Sequence, residues 1–326
     1  MLKKLRFSAL CALWLPNNEY ISGMYEKLKG IVLNTIRYSD RHNIVHVYTD
    51  LRGLMSFAVP LGKTHAARMR NAMLMPLSLI DLEAGTSSGR ELAVMREVRR
   101  NYPLATIYSD PMKNAICLFI SELLAHVIQE PEGNEYLFRY IEQSVQLLEQ
   151  LPDGVANFHI CFLYHLGAHL GIQPNVESYR NGYWFDMTDG VFVPAATAGH
   201  MHLQPREAQV IHLLSRMTFR NMAVFRFNRE ERNRMLDVII SYYRLHNAAI
   251  GTLRSPAILK QLFVWSYKGR LLQTAALLVT SFRLLFTNDV VVIDRVQNDT
   301  VPDFEFIIDE TEFRHKLIGM EICNIN

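Results

Sequence analysis

Between residues 30 and 103 apolar positions come in short runs rich in β-branched and aromatic residues, broken every few positions by polar ones. Ile31–Ile36, Ile44–Thr49, Leu54–Val59, Leu77–Glu83 and Leu92–Val98 have this character, with Gly, Asp, Ser or Arg/Asn turns between them. The first two runs flank a charged turn, Ser39-Asp40-Arg41-His42-Asn43. Five strands in so short a stretch are too few for an open sheet buried on both faces. They predict a small closed barrel, which removes the exposed edges.

At residue 109 the period changes. Met112, Ile116, Phe119, Ile120, Leu123, Leu124 and Val127 recur at helical spacing, with Asp110 placed to cap and Pro111 at the first helical position. Glu135–Leu151 carries Leu137, Ile141, Val145 and Leu148 on one face and stops at Pro152. "VANFHICFLYHLGAHLG" predicts a third helix ending at Gly171. A loop-rich stretch, 172–204, precedes helices expected over Pro205–Met217 and Arg229–His246. The last of these opens on Asn228 with Glu231 three residues on, a capping-box pattern. The pattern therefore predicts an α+β chain, a five-stranded barrel followed by an all-helical domain.

Charge sharpens this division. Residues 25–104 hold 12 Lys/Arg against 7 Asp/Glu, whereas 105–150 hold 2 against 7. A basic domain ahead of an acidic segment is an asymmetry that nucleic-acid binders show. The four cysteines, Cys11, Cys117, Cys161 and Cys323, are far apart and form no CxxC pair, which argues for a reducing compartment and against a four-cysteine zinc site. The start, "MLKKLRFSALCALWLPNNEYISGM", imitates a secretion signal, but folded-domain patterning begins only at Lys29. Residues 1–24 are accordingly expected to be an extra leader ahead of a start at Met24. "LLQTAALLVTSFRLLF" is interrupted by Arg283 and too short for a membrane span. The chain thus divides into a leader (1–24), a barrel (25–104), a helical domain with a loop region at 172–204 (105–264), and an unassigned extension (265–326).

Enzyme motifs are wanting. Gly62-Lys63-Thr64 imitates a phosphate-binding loop, but Phe57 stands where that loop needs a glycine. His159, His165, His169 and Cys161 fall on one expected helix, and His165 and His169 share a face as zinc ligands on a helix do. No glutamate lies between them in the HExxH manner, and Phe158, Phe162, Leu163 and Leu166 crowd the helix, so satisfied core histidines are the better reading. His200 and His202 lie in a loop and are weighed the same way. No GxSxG or dinucleotide fingerprint occurs.

The basic positions are more informative. Lys63, Arg68 and Arg70 fall in the link between the third and fourth strands, Arg90 in the turn before the fifth, and Arg96, Arg99 and Arg100 in and just after it. Loops and one face of a small barrel form a groove where such cations attract a phosphate chain, and Tyr38 and Tyr48 offer π-faces for bases. Ordinary solvated arginines are the competing reading. A second basic run, 216–234, has six arginines against two glutamates, interleaved with Phe219, Phe225 and Phe227. Phenylalanines in the core beneath a wet arginine face explain it slightly better than a second nucleic-acid patch.

"KGIVLNTIRYSDRHNIVHVYTDLRGLMSFAVPLGK" (Lys29–Lys63), "MLMPLSLIDLE", "GRELAVMREVRRNYP", "GVANFHICFLYHLGAHLGIQPN" and "YWFDMTDGVFV" follow one another in an order that resembles the RecO family, its Bacteroides-type branch most closely. The resemblance covers roughly 25–264. It implies an OB-fold barrel followed by a helical domain, and a cytoplasmic, non-catalytic recombination mediator. Such a protein binds single- and double-stranded DNA, anneals complementary strands, contacts single-strand binding protein, and works with RecR and RecF in loading RecA. Many members carry a four-cysteine zinc motif in the part matching 174–199, where this chain has no cysteine, so no metal and no cofactor are expected. The alternative is an OB-type single-stranded nucleic-acid binder without a recombination role, and a third class is a metal hydrolase using His159, His165 and His169.

Overall fold

The computed structural model describes residues 25–62, 64–85 and 92–261. The leader, the whole C-terminal extension, Lys63 and Arg90 lie outside them.

Strands β1 (Tyr25–Arg37), β2 (His42–Thr49), β3 (Gly53–Pro60), β4 (Leu79–Gly85) and β5 (Val94–Arg100) pair antiparallel in the order β3-β2-β1-β4-β5. A parallel bridge between Phe57 and Ala93 joins the two outer strands, and the Ala93 N–H donates to the Ser56 carbonyl at 2.8 Å. The expected barrel is thereby closed with OB connectivity. Alternation turns Leu28, Val32, Val45, Val47, Phe57, Val59, Ile80 and Leu82 into one apolar interior. Gly30 faces that interior, where a Cβ would come within 2.5 Å of Val47 Cγ1 and 2.8 Å of Leu82 Cδ2. A bulge makes Arg96 the extra residue of β5, so Met95 and Val98 both turn inward despite their odd spacing.

Between β3 and β4 the chain forms α1 (His65–Met73), capped by Thr64, whose Oγ1 accepts from the Ala67 N–H at 3.2 Å. This helix was not expected from the sequence. None of its residues is buried, so no apolar stripe marks it.

The helical body follows: α2 (Thr106–Ser109), α3 (Pro111–Val127), α4 (Glu135–Gln150), α5 (Phe158–His169), α6 (Pro205–Leu214) and α7 (Arg229–His246). Asp110 caps α3 and the Asn228–Glu231 box opens α7, as the pattern indicated. Helix α5 is buried along most of its length and is the centre of the body. The α3 helix covers the outward side of β1, where the Ser121 hydroxyl donates to the Leu33 carbonyl. Segment 172–204 corrects the all-helical expectation. It holds a three-stranded sheet of β6 (Trp184–Asp186), β7 (Val191–Val193) and β8 (His202–Leu203) in the order β7-β6-β8. Strands of two or three residues carry no alternation to read.

Candidate nucleic-acid interface

The turn between β1 and β2 is set by its own hydrogen bonds. Tyr38 and Ser39 donate their N–H groups to the His42 carbonyl at 3.2 and 3.1 Å, and Ser39 Oγ accepts from the N–H groups of Arg41 and His42. Tyr38, 72% exposed, therefore stands out from a fixed backbone with its ring open to solvent. Arg37 and Arg41 flank it, and Arg37 pairs with the fully solvated Asp40 at 3.0 Å.

Helix α1 is tied to this hairpin at both ends. The Leu61 N–H donates to the Arg41 carbonyl at 2.7 Å, and Thr35 Oγ1 donates to the Leu74 carbonyl at 3.3 Å. Arg68 (exposed) and Arg70 (half-buried) on α1 thus sit at the same end of the barrel as Arg37 and Arg41. Arg100 stands apart from them, because β5 ends opposite Ile80, which pairs with Gly30 in the middle of β1, and its charge reaches the Tyr108 hydroxyl. Arg37 and Arg41 are not among the candidates drawn from the sequence, although both are exposed beside Tyr38. The signal was the charged turn between the first two strands, since the β1–β2 and β4–β5 loops of OB barrels hold oligonucleotides.

The remaining candidates separate from this group. Arg96, displaced by the bulge, lies 4.8 Å from the centroid of the Tyr25 ring. Arg99 is on the outward face opposite Asp81, with its guanidinium 3.4 Å from the Glu97 carboxylate. Alternation and the bulge therefore deny Arg96, Arg99 and Arg100 a common face. Tyr48 is also corrected: it is 1% exposed, its ring is 5.9 Å from that of Phe138, and its hydroxyl donates to the Asn134 carbonyl at 3.2 Å. Burial pushes its pKa up to about 12. No base reaches that ring, because α4 covers the end of β2 on which it stands.

Between the open turn and Tyr48, the outward row of β2 and β3 pairs Ile44 with Ala58 and His46 with Ser56. His46 Nδ1 is 2.9 Å from Ser56 Oγ, and burial lowers its pKa, so the ring is neutral near pH 7. This row is a half-buried, uncharged floor beside the cationic end.

The α5 histidines go to separate partners. His159 is buried edge-on to Phe119 with its pKa lowered to about 3 by burial and the charge of Arg232. His165 Nε2 is 2.7 Å from the Met217 carbonyl, and His169 stacks on Tyr140 at 4.5 Å. They form no ligand set. Among the described residues only Asp186, Asp189 and His200 bring three potential ligand atoms together, within 4.8 Å. That group is closed by hydrogen bonds. Asp186 Oδ1 accepts from the Thr188 and Asp189 N–H groups at 2.9 and 3.2 Å, and Oδ2 lies 2.7 Å from His200 Nδ1. His202 Nε2 accepts from the Thr197 N–H at 3.0 Å, and its Nδ1 lies 3.0 Å from the His200 carbonyl. A structural zinc wants four nitrogen or sulfur donors, and these residues do not fit it.

Among the described residues no helix is long and apolar enough to cross a membrane.

Two family models match the chain: recombination protein O N terminal over residues 24–101, and recombination protein O C terminal over 108–252. The DNA repair protein RecO of Phocaeicola vulgatus is 38% identical over 240 residues, which is 74% of this chain and 100% of that protein. The RecO of Bacteroides fragilis is 38% identical over 241 residues, and that of Flavobacterium johnsoniae 31% over 241, each again covering 74% of this chain and the whole relative.

Proposed function

This chain belongs to the RecO family of DNA repair proteins, and from that premise we propose that it is a recombination mediator that binds single- and double-stranded DNA and anneals complementary strands. In this reading it works in the cytoplasm with RecR, RecF and single-strand binding protein in loading RecA. The observation that carries the DNA-binding part is the cationic end of the barrel: Arg37 and Arg41 flank the exposed Tyr38, and α1, tied to the same hairpin, carries Arg68 and Arg70.

The mechanism is electrostatic. Annealing brings two polyanions together, and a surface that neutralises phosphates releases their counterions and lowers the repulsion. Contacts go to the backbone rather than to base edges, so sequence is left to the pairing strands. Tyr38 supplies a stacking face that tolerates any base. No bond is made or broken, and the role needs no nucleophile and no cofactor.

The test is a binding titration against single-stranded DNA at two salt concentrations, with annealing of complementary strands followed in parallel. Salt-sensitive binding together with faster annealing supports the proposal. Binding that protects the strands without pairing them supports the single-strand binder instead.

A further inference from the structure

Among the described residues Leu77 is the only one other than glycine with a positive φ, at 57°, and it is fully buried. A left-handed leucine is strained, and such strain persists only where the surroundings hold it. Here they do. The Leu77 N–H donates to the Val32 carbonyl at 2.7 Å, and the Val32 N–H donates to the Ser78 carbonyl at 3.1 Å. From the other side Tyr108 closes the turn. Its hydroxyl donates to the Pro76 carbonyl at 3.0 Å and stands 2.9 Å from Ser78 Oγ, which is left to donate in return. Burial pushes the Tyr108 pKa up to about 12, so the donor proton is in place at neutral pH.

This turn is the foot of α1. Leu74, the C-cap of α1, lies two residues before Pro76, and its own carbonyl accepts from Thr35 Oγ1. Behind Tyr108 stands the helical body. Ile107 beside it is fully buried, and the α2 N–H groups of Thr106 and Ile107 donate to the Glu149 carboxylate at the end of α4, at 2.8 and 2.9 Å. Hydrogen bonds therefore link α4 to α2, and Tyr108 of α2 to the turn from which α1 extends with Arg68 and Arg70. Cations held in place before contact keep more of their binding energy, because less freedom is lost when the strand arrives.

We propose that Tyr108 is a positioning residue for DNA binding: it holds the 75–78 turn in its strained form, and that turn sets where α1 presents Arg68 and Arg70. The inference rests on the barrel being the DNA site. It gives the helical body a part in binding without contact to the strand, since the place of α2 is transmitted to α1 through one hydroxyl.

The test uses the full chain and follows single-stranded DNA binding across a salt series. Tyr108→Phe keeps the ring and loses both hydrogen bonds. Arg68→Gln with Arg70→Gln removes the charges, and a further variant combines all three changes. Tyr108→Phe is expected to weaken binding by about threefold or more and to lower the slope of log affinity against log salt by about 1. In the background without Arg68 and Arg70 it should change neither. A lower melting temperature with wild-type affinity and slope makes Tyr108 structural only and overturns the inference. An equal loss of affinity in both backgrounds does the same. Ser78→Ala removes one of the two bonds and is the milder variant, expected to move affinity and slope the same way by a smaller amount. It carries the test if Tyr108→Phe does not fold, and wild-type affinity and slope in it then overturn the inference. A wild type whose single-strand binding is absent or insensitive to salt refutes the barrel proposal; a salt-sensitive wild type beside an unchanged Tyr108→Phe refutes only this inference.

Discussion

Gly53 and Gly133 lie where the turn after β2 meets the link between α3 and α4, and neither position has room for a Cβ. On Gly53 it would stand 2.5 Å from the Glu130 carbonyl oxygen, and on Gly133 2.5 Å from that of Asp50. Backbone packs on backbone here, sealed by the Leu54 N–H donating to the Glu130 carbonyl at 3.0 Å. This contact lets α4 close over Tyr48 and fastens the barrel to the helical body. Gly133→Ala is expected to cost about 1–3 kcal/mol by overpacking. Gly251→Ala, with nothing within 4 Å of the added carbon, is the control and should be neutral or stabilise by up to about 1 kcal/mol. Denaturant midpoints of the two variants decide the matter, and equal midpoints would refute the close approach.

Glu149 at the end of α4 is an internal anion. Its carboxylate accepts from the N–H groups of Ala105, Thr106 and Ile107 at 2.8–2.9 Å, at the start of α2. Beside it the buried Lys113 ammonium donates to the Glu149 carbonyl at 2.9 Å. Burial pushes the carboxyl pKa up, but the three N–H donors outweigh it and hold it below the ordinary value. A depressed carboxylate stabilises fully above its unfolded value near 4.5, and that contribution disappears as pH falls through the folded pKa. Glu149→Gln should cost about 1–2 kcal/mol at neutral pH, since the site is partly solvated, and less in acid. A stability gap between wild type and variant that did not narrow below about pH 4.5 would count against this role.

The sheet of 184–203 should respond to pH in the opposite direction. Hydrogen bonding to Asp186 raises the His200 pKa. Burial pushes Asp186 up, but the His200 bond and the Asp189 and Thr188 N–H groups bring it below its usual value. The His200 contribution is complete below 6.5 and fades as pH rises through the raised pKa; that of Asp186 is complete above 3.8. The pair therefore stabilises most between these limits. Melting of wild type and His200→Gln should differ most at about pH 5–6 and converge as pH rises through the raised His200 pKa, and a constant difference would speak against the pair. A chelator should leave both proteins unchanged.

Much of this organisation was legible in the sequence. The five strands and the helices from α3 to α7 follow from period and caps, because each buries a repeating apolar face. What escaped depends on partners distant in the chain. Alternation places Tyr48 on the outward row of β2, and only the Asn134 and Phe138 contacts reveal that this part of the row is covered. The α1 helix buries nothing, and the small sheet is fastened by Asp186 rather than by a pattern. Arg96, Arg99 and Arg100 are close in sequence, yet the bulge and the pleat send them apart.

That separation yields the sharpest test of the barrel surface. Each arginine bound to a phosphate adds to the slope of log affinity against log salt, so cations acting on one strand lower that slope together when reversed. Among the described residues Arg41, Arg68 and Arg70 have no carboxylate within ion-pair distance, while Arg99 already has Glu97 at 3.4 Å and Asp81 opposite. Arg41→Glu, Arg68→Glu and Arg70→Glu combined should therefore reduce the single-strand slope by about 2. The same reversal at Arg96, Arg99 and Arg100 should reduce it by about 1 or less, because a partner already compensates Arg99 and Arg96 lies over Tyr25. Exposed Tyr38 gives an independent check: Tyr38→Ala should weaken binding by about 1–3 kcal/mol with the slope unchanged, since stacking releases no counterions. Equal slopes for the two arginine variants would place the footprint along β5 instead of at the α1 end.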